Sequence, residues 1–422
     1  MNIMKRFLKY TALTVMILII WVAAIFISMD KGWWHTPFTQ DKMPNEFIAS
    51  VQEELQNEFV GTMAIALFKG GKLAEESFYS NDKPADRNTV FQVASLSKFV
   101  SAIGVMKLVE DGKLNLDAPV SRYLTRWRLP HSDFDNTKVT VRRLLSHTAG
   151  LTDGLGYAGF KNPKDVQSLE ASLNKAIDAD PGSDGRILIG VEPGSEWRYS
   201  GGGFTVLQLM VEEVSGQSFD SYMQSEIFEP LQMHSSFYQW DENFQDRLCD
   251  FYETDGSKAA QRYYTAQAAS ALYTSLADLE KLFHLFDEDN VNQKPVSPEF
   301  QKLMWQVEAE TLGTPIYGLG TFLYTELENG GFVIGHDGKN NPPINTAFRY
   351  NPVAKDGIIM LTTGSTNFAT RIASDWVFLQ TGKVDALLFT MQQGKMIQIM
   401  AIGSFFILIL VASIAFVRRT GK

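Results

Sequence analysis

The chain has 422 residues, of which 45% are hydrophobic, and this is enough for one large core or for two lobes. A net charge of −10 and a pI near 5.2 argue against nucleic acid as a partner. The single cysteine, Cys249, excludes an intramolecular disulfide, and the six histidines lack metal-ligand spacing, so we expect neither a metal nor another cofactor.

Apolar runs near both ends of the chain predict two membrane spans. Residues 1–30 combine basic side chains with a long uncharged segment, which indicates a signal anchor or a transmembrane helix, with a cleaved signal peptide as the alternative. Residues 397–417 form the second apolar run, and a basic tail follows at 418–422. Because the basic residues lie on the terminal sides of both runs, we expect cytoplasmic termini and a body on the periplasmic or outer face of the cell membrane.

The body occupies residues 46–380, between linkers at 31–45 and 381–396. Its periodicity favours strands near both ends and helices between them. This order predicts an α+β domain whose antiparallel sheet is built from N- and C-terminal parts, flanked by helices, with an inserted and mostly helical lobe. The predicted elements are a helix at 44–58, a hairpin at 62–79, a helix from Ser95 to Gly112, a short helix at 140–150, an irregular insertion at 152–194 with a helix at 169–178, helices at 204–214 and 219–228, helical patterns to about 308, strands at 317–324, 331–335, 344–350 and 357–363, and a helix at 369–379.

Ser95 and Lys98 stand at the start of the helix that Gly112 stops. Three residues apart, their side chains share one face of the helix. A serine hydroxyl there is a possible nucleophile, and a lysine one turn further along can accept its proton. The same Ser-x-x-Lys pattern occurs at Ser28 and Ser172, so by itself the pattern is equally consistent with a helix cap and a solvated lysine.

Three further short stretches have ordinary structural explanations when each is taken alone. Tyr199 precedes three glycines, which allow positive φ or close backbone approach, and it could be a partly buried aromatic residue. Residues 335–338 fall between two predicted strands, where a hairpin turn is the simple interpretation. His147 lies in a short capped helix, and a lone histidine is more often structural than catalytic.

Taken together, the motifs resemble the serine β-lactamase-like hydrolases, which include class C β-lactamases, D-alanyl-D-alanine carboxypeptidases, esterases and D-amino-acid amidases. Ser95-x-x-Lys98, Tyr199-Ser200-Gly201 and His336-Asp337-Gly338 have the order and rough spacing of that family. The resemblance covers about residues 46–380 and implies the β-lactamase/transpeptidase-like fold.

The resemblance also implies roles for individual residues. Ser95 would attack a carbonyl and become acylated, while Lys98 and Tyr199 share the general-base and general-acid work. A nearby Lys98 cation would favour the phenolate of Tyr199, so we expect the two groups to titrate together. The amides of Ser95 and Lys339 would form the oxyanion hole. The remaining candidate substrate-binding residues are His336, Gly338 and Gly201.

Two departures from the family pattern bear on the substrate. Gly201 replaces an asparagine of the class C motif, and Asp337 replaces a hydroxyl residue that helps to hold a substrate carboxylate. An acid at 337, with only a titratable His336 beside it, is expected to repel such a carboxylate. We therefore predict a small-molecule or peptide acyl substrate, cleaved at an ester, amide or D-amino-acid peptide bond.

Other functions stay open at this stage. The chain could be a penicillin-binding D,D-carboxypeptidase or a class C-like β-lactamase. A different class, a catalytically inactive membrane scaffold or sensor with the same fold, is opposed by the intact Ser95, Lys98 and Tyr199. The sequence contains no Gly-x-Ser-x-Gly elbow, which argues against an α/β-hydrolase. It does not indicate an oligomeric state.

Overall fold

The computed structural model describes residues 2–154, 156–286, 294–311 and 313–420. Within these ranges the chain forms two compact units, residues 41–376 and residues 1–40 with 377–422, and we describe each by itself. Residues 421–422 of the predicted basic tail, and residues 287–293 of the predicted helical region, lie outside the described residues.

An antiparallel sheet of eight strands forms the centre of the larger unit. The strands described are β1 (Thr62–Lys69), β2 (Lys72–Ser80), β3 (Val90–Gln92), β4 (Phe251–Tyr252), β5 (Lys258–Ala259), β6 (Tyr273–Ser275), β7 (Ala309–Thr311), β8 (Thr314–Tyr317), β9 (Phe322–Glu326), β10 (Phe332–Asn340), β11 (Ile344–Asn351) and β12 (Asp356–Thr363). The order in the large sheet is β2-β1-β12-β11-β10-β9-β8-β7. The first strands therefore pair with the last one, which confirms a sheet built from both ends of the body.

Helices cover the sheet and fill the middle of the sequence. Those described are α1 (Asn2–Asp30), α2 (Pro44–Glu58), α3 (Leu96–Glu110), α4 (Val141–Leu145), α5 (Leu169–Asn174), α6 (Gly201–Ser215), α7 (Phe219–Met223), α8 (Gln267–Ser270), α9 (Leu276–Leu285), α10 (Pro298–Met304), α11 (Phe368–Thr381) and α12 (Ala386–Thr420). A π-helical turn, Gln224–Phe228, continues α7. The α+β class predicted from the sequence is confirmed.

The helix α3 is the buried centre of the larger unit. Twelve of its fifteen residues are buried, so it packs on all sides rather than along one apolar stripe. Phe99 packs on Phe348 of the sheet, with ring centroids 5.4 Å apart. On another side, Gly104 leaves room for the sulfur of Met223, which would lie 2.3 Å from an added Cβ. A helix held in this way gives its first residues a fixed position.

Several predicted elements differ from the structure, and in each case glycine packing or a cap explains the difference. The single strand predicted at 317–324 is two strands, β8 and β9, because Gly320 takes a positive φ of 72° and packs where a Cβ would lie 2.2 Å from that of Ala102. The helix predicted to start at Phe204 starts at Gly201. Ser200 caps it by accepting a hydrogen bond from the amide of Gly203, at 3.1 Å.

The stretch 335–338, for which a turn is the simple interpretation, lies inside β10. Seven residues of this strand pair with β11, from Ile334 opposite Tyr350 to Asn340 opposite Ile344. The region predicted to be helical up to residue 308 also contains the short strands β4, β5 and β6. Of these, β6 pairs with β3, the strand that leads to Ser95.

The smaller unit contains the two apolar helices α1 and α12. Leu8–Met29 and Gly394–Ala415 are long and apolar enough to cross a membrane, judged by length and composition. The Trp21 indole donates a hydrogen bond of 3.2 Å to the Met400 carbonyl, and Gly403 leaves room for the ring. The segment predicted as a linker at 381–396 is mostly helical instead, because α12 already begins at Ala386.

Candidate active site

Ser95 lies at the N-terminal end of α3, directly after a strained residue. The preceding Ala94 has a φ of 49°, in the left-handed region that alanine rarely occupies. Two side-chain hydrogen bonds hold this turn in place. The hydroxyl of Ser97 donates to the Ala94 carbonyl at 2.5 Å, and the hydroxyl of Thr346 donates to the Val93 carbonyl at 2.9 Å. The Ser95 hydroxyl makes no capping hydrogen bond in the described helix, so the cap interpretation does not account for it.

Lys98 lies beneath Ser95 and is only 2% exposed. Its Nζ donates to the Ser95 Oγ at 3.0 Å and to the Ala269 carbonyl at 2.8 Å. Burial lowers the pKa of Lys98 to about 7, and the negative charge of Asp180 opposes this shift only in part. Above about pH 7 this lysine is therefore a neutral amine, which is able to accept the proton of Ser95.

Tyr199 completes the group of polar side chains around Ser95. The Lys98 Nζ lies 5.0 Å from the centre of the Tyr199 ring. Burial raises the pKa of Tyr199 well above its usual range, and its hydrogen bond with Ser95 opposes this shift only in part. The expectation that Lys98 favours a phenolate is therefore wrong. The phenol keeps its proton because burial disfavours the anion.

His336, also predicted as a site residue, lies close to the Tyr199 ring. Its Nδ1 lies 2.6 Å from the Asp337 carbonyl oxygen, which can only accept, so Nδ1 carries the proton. Its Nε2 then accepts from the Tyr317 hydroxyl at 3.0 Å. Burial lowers the pKa of His336 to about 3, with a further contribution from the charge of Lys98. The imidazole is therefore neutral and supplies no positive charge to a substrate.

The neighbouring residue, Asp337, has a role that the sequence does not predict. Its carboxylate forms a bidentate ion pair with the buried Arg349. It also accepts a hydrogen bond from the Tyr324 hydroxyl at 3.1 Å. Successive residues of a strand point to opposite faces, so Asp337 points away from the side that His336 occupies. The predicted repulsion of a substrate carboxylate by Asp337 is therefore wrong, because Arg349 already compensates its charge.

The remaining predicted residues differ in how close they come to Ser95. Gly338 lies against the Ser95 turn, where an added Cβ would be 2.0 Å from the Val93 carbonyl oxygen, so only glycine fits there. Lys339 follows with an exposed side chain. Gly201 is the first residue of α6, and its carbonyl accepts from the Thr205 hydroxyl at 3.2 Å. It presents no side chain to the site.

Two site residues are missed by sequence reasoning. Tyr317 is one of them. It is recognised only in the structure, through the hydrogen bond between its hydroxyl and His336. His147 is the other, with a φ of 58° and a ring centre 4.3 Å from that of Tyr199. Its Nδ1 accepts from the amide of Ser200 at 3.2 Å, so it holds the backbone next to Tyr199. Burial lowers the pKa of His147, which keeps it neutral.

A serine hydroxyl bonded to a buried lysine amine is an arrangement that can activate the serine as a nucleophile, as in hydrolases that form acyl-enzymes. Comparison with known proteins identifies the class. The sequence profile of the beta-lactamase family matches residues 47–381, and the chain belongs to this family. Among the described residues, no group of three or more side chains suits a metal ion.

Three relatives illustrate the similarity. The protein flp of Staphylococcus aureus strain MW2 is 28% identical over 199 residues, which is 45% of this chain and 37% of flp. PbpX of Bacillus subtilis strain 168 is 28% identical over 256 residues, 59% of this chain and 58% of PbpX. The octameric penicillin-binding protein homologue of Pyrococcus abyssi superposes with a TM-score of 0.66 at 24% identity, covering 81% of this chain and 78% of that one, and shows the fold. The chain thus spans roughly a third to under two thirds of the length of these two curated relatives.

Proposed function

We propose that residues 46–380 form a serine hydrolase that works through an acyl-enzyme on Ser95. The observation that carries this proposal is the 3.0 Å contact between the Lys98 Nζ and the Ser95 Oγ, made by a lysine with almost no exposure. A buried amine with a lowered pKa is a base at neutral pH, and its position against a hydroxyl activates that hydroxyl as a nucleophile.

Acylation follows from these positions. The neutral amine of Lys98 takes the proton of Ser95 while the Oγ attacks the carbonyl carbon of the substrate. The amides of Ser95 and Lys339 stabilise the resulting oxyanion. Tyr199, which keeps its phenolic proton, donates it to the leaving alkoxide or amine, and the Lys98 ammonium returns a proton to Tyr199. In deacylation the neutral amine of Lys98 takes a proton from the attacking water, and the resulting ammonium returns a proton to the Ser95 oxygen as the acyl ester bond breaks, which regenerates Ser95 and a neutral Lys98.

The surroundings of Ser95 favour esters, amides or D-amino-acid peptide bonds over β-lactams. The strand β10 offers no buried positive charge for a substrate carboxylate, because His336 is neutral and Arg349 is occupied by Asp337. The missing side-chain amide at Gly201 adds a smaller effect, about 1 kcal/mol for one hydrogen bond. The exposed ammonium of Lys339 is the observation that favours the second candidate, a penicillin-binding carboxypeptidase or β-lactamase, since it could meet a carboxylate at the cleft.

A change of Ser95 to alanine tests the proposal. We expect the wild-type chain to react with a fluorescent fluorophosphonate, and Ser95→Ala to lose both labelling and hydrolysis, a loss of many orders of magnitude for a missing nucleophile. Ser172→Ala is the matched control, because Ser172 has the same spacing to Lys175 and its buried hydroxyl has no hydrogen-bond partner among the described residues. Near-normal turnover by Ser95→Ala would exclude the mechanism, and an unreactive wild type would favour the inactive scaffold.

We further propose that the apolar helices α1 and α12 anchor the chain in the cell membrane and that the hydrolase lies on the periplasmic or outer side. The two helices and the terminal placement of basic residues support this orientation. Reporter fusions after Asp41 and after Gln392 check it. We expect signals typical of an extracytoplasmic location from both fusions, and cytoplasmic signals from either would contradict the orientation.

A further inference from the structure

Asn345 of β11 has a buried side-chain amide whose two polar atoms both have partners. The residue is 1% exposed. Its Nδ2 donates to the Gly338 carbonyl at 3.1 Å and to the Thr370 hydroxyl at 2.9 Å, while its Oδ1 accepts from the Thr370 amide at 2.9 Å. A carbonyl can only accept and a backbone amide can only donate, so these partners fix the orientation of the Asn345 amide.

The Gly338 carbonyl belongs to the same peptide group as the Lys339 amide, the second proposed donor of the oxyanion hole. This peptide bond is trans, so its N–H and its C=O point in opposite directions. The carbonyl points toward β11, where Asn345 lies opposite Lys339 in the register. The Lys339 N–H therefore points to the other side of β10. On that side the described pairing with β9 ends at Gly335, which leaves an open edge.

The turn before Ser95 packs on the other face of the same part of β10. A Cβ added to Gly338 would lie 2.0 Å from the Val93 carbonyl oxygen, and the Thr346 hydroxyl donates to that oxygen at 2.9 Å. Neighbouring residues of a strand point to opposite faces, so Asn345 lies on the face away from Ser95. Two consecutive residues of β11 thus hold the two parts of the proposed oxyanion hole: Thr346 holds the turn, and Asn345 holds the peptide group of the second donor.

A hydrogen bond to a peptide carbonyl also affects the N–H of the same peptide group. When the Gly338 carbonyl accepts from Asn345, the peptide group becomes more polarised and its N–H becomes a stronger donor. An oxyanion is stabilised best by donors that already point at the developing charge, because they need no reorientation during the reaction. Asn345 also ties the strand to the first turn of α11, since helix amides such as that of Thr370 lack a partner within the helix.

We propose that Asn345 is a positioning residue for acyl transfer at Ser95. It holds and polarises the peptide group whose Lys339 N–H stabilises the oxyanion, and it does so from the far face of the sheet, without touching the substrate. The inference rests on the proposed hydrolase function. It assigns part of the reaction rate to a side chain that lies outside the three sequence motifs.

Asn345→Ala and Thr370→Val test this role as a matched pair. Both changes remove polar atoms from one buried network, but only Asn345 contacts the Gly338 carbonyl. With a neutral p-nitrophenyl ester at pH 8, we expect Asn345→Ala to lower kcat/KM about tenfold, less than the roughly 10²–10³-fold loss for a missing oxyanion donor. Thr370→Val should keep the wild-type value. Urea unfolding compares the stability of the two variants.

A transition-state analogue distinguishes positioning from a general loss of structure. Phenylboronic acid forms a tetrahedral anion with a serine oxygen, so its affinity should fall in Asn345→Ala by the same factor as kcat/KM. Asn345→Asp keeps the acceptor for the Thr370 amide but places a carboxylate oxygen against the Gly338 carbonyl, and it should lose at least as much. This second variant provides the test if Asn345→Ala fails to fold. Equal losses in Asn345→Ala and Thr370→Val, or unchanged affinity for the boronic acid, would overturn the inference.

An NMR measurement separates this inference from the hydrolase proposal. A chain labelled with ¹³C-carbonyl glycine and ¹⁵N-lysine reports only on Gly-Lys peptide groups, of which the sequence contains six, and Lys339→Arg identifies the signal that includes Gly338. We expect Asn345→Ala to move this carbonyl carbon and amide proton upfield, because the hydrogen bonding weakens, and Thr370→Val to leave both in place. If fluorophosphonate fails to label Ser95, the hydrolase proposal fails, and these shifts still decide whether Asn345 polarises the peptide group. Unchanged shifts with normal labelling of Ser95 overturn the inference alone.

Discussion

Lys98 and Arg349 are both almost completely buried in the larger unit, yet they have opposite surroundings. Arg349 meets the carboxylate of Asp337 in a two-pronged ion pair and stacks on the Tyr324 ring, 3.5 Å from its centre. Lys98 donates hydrogen bonds to a hydroxyl and a backbone carbonyl, and among the described residues it forms no ion pair. Burial with a counterion leaves a cation charged and structural, whereas burial without one lowers the pKa and makes a base. The difference explains why chemistry is expected at Lys98 and not at Arg349.

The largest effect is expected for Lys98→Met, which should cost at least about a thousandfold in kcat/KM because the base is lost. The same change should stabilise the chain by roughly 2–4 kcal/mol near pH 7, after allowance for two lost hydrogen bonds. The pKa of Lys98 is about 7 in the folded chain and about 10.4 when unfolded, so the unfolded state binds the extra proton between these values. The stabilisation should therefore be full below about pH 7 and fade toward pH 10.

Thermal unfolding of the detergent-solubilised chain at pH 6, 8 and 10, together with ester hydrolysis, checks this prediction. A Lys98→Met variant that is less stable than the wild type at pH 6 would contradict the idea that the lysine is buried without a counterion.

Arg349→Met should have the opposite effect on stability. Removing one partner of a buried ion pair leaves Asp337 uncompensated and should cost about 3–5 kcal/mol, whereas adding Asp337→Leu should restore part of that loss. Urea unfolding followed by tryptophan fluorescence measures both changes. Lys69→Met is the matched control, since Lys69 pairs with Asp356 at 2.6 Å but is 40% exposed, and a pair of that kind is worth under about 1 kcal/mol. If Arg349→Met lowers the free energy of unfolding by as little as the control does, the contrast between Lys98 and Arg349 is contradicted.

The pH dependence of hydrolysis should show the titration of Lys98 alone. With a neutral ester, kcat/KM should rise about tenfold per pH unit from pH 5 and level off above about 7, because protonated Lys98 cannot accept the serine proton. Tyr199 should add no inflection up to pH 9, because burial raises its pKa. Steady-state rates from pH 5 to 9 measure the profile. Activity that falls from pH 6 to 8 would assign the base to another group.

Much of the fold follows from local sequence signals. The helix Pro44–Glu58 has the predicted bounds, with proline at its first turn. The hairpin of β1 and β2 forms around Gly70 and Gly71, both with positive φ. Thr140, at the start of the helix predicted at 140–150, caps α4 by accepting from the Arg143 amide at 3.3 Å. Each of these depends on residues only a few positions apart, which is why the sequence alone predicts them.

The sequence by itself also determined the candidates Ser95, Lys98, Tyr199 and His336, because their motifs occur together in family order. Only the tertiary structure decided the protonation states and charges of these side chains. The neutral state of His336 depends on its burial, beside Tyr317 nineteen residues away in the sequence. The low pKa of Lys98 likewise depends on burial by segments distant in sequence, such as the one that carries Ala269, 171 residues away. Likewise, Asp337 faces Arg349 rather than a substrate because β10 and β11 pair in one register. A side chain's charge reflects its desolvation and its neighbours in space, and these are properties that residue types and spacings do not contain.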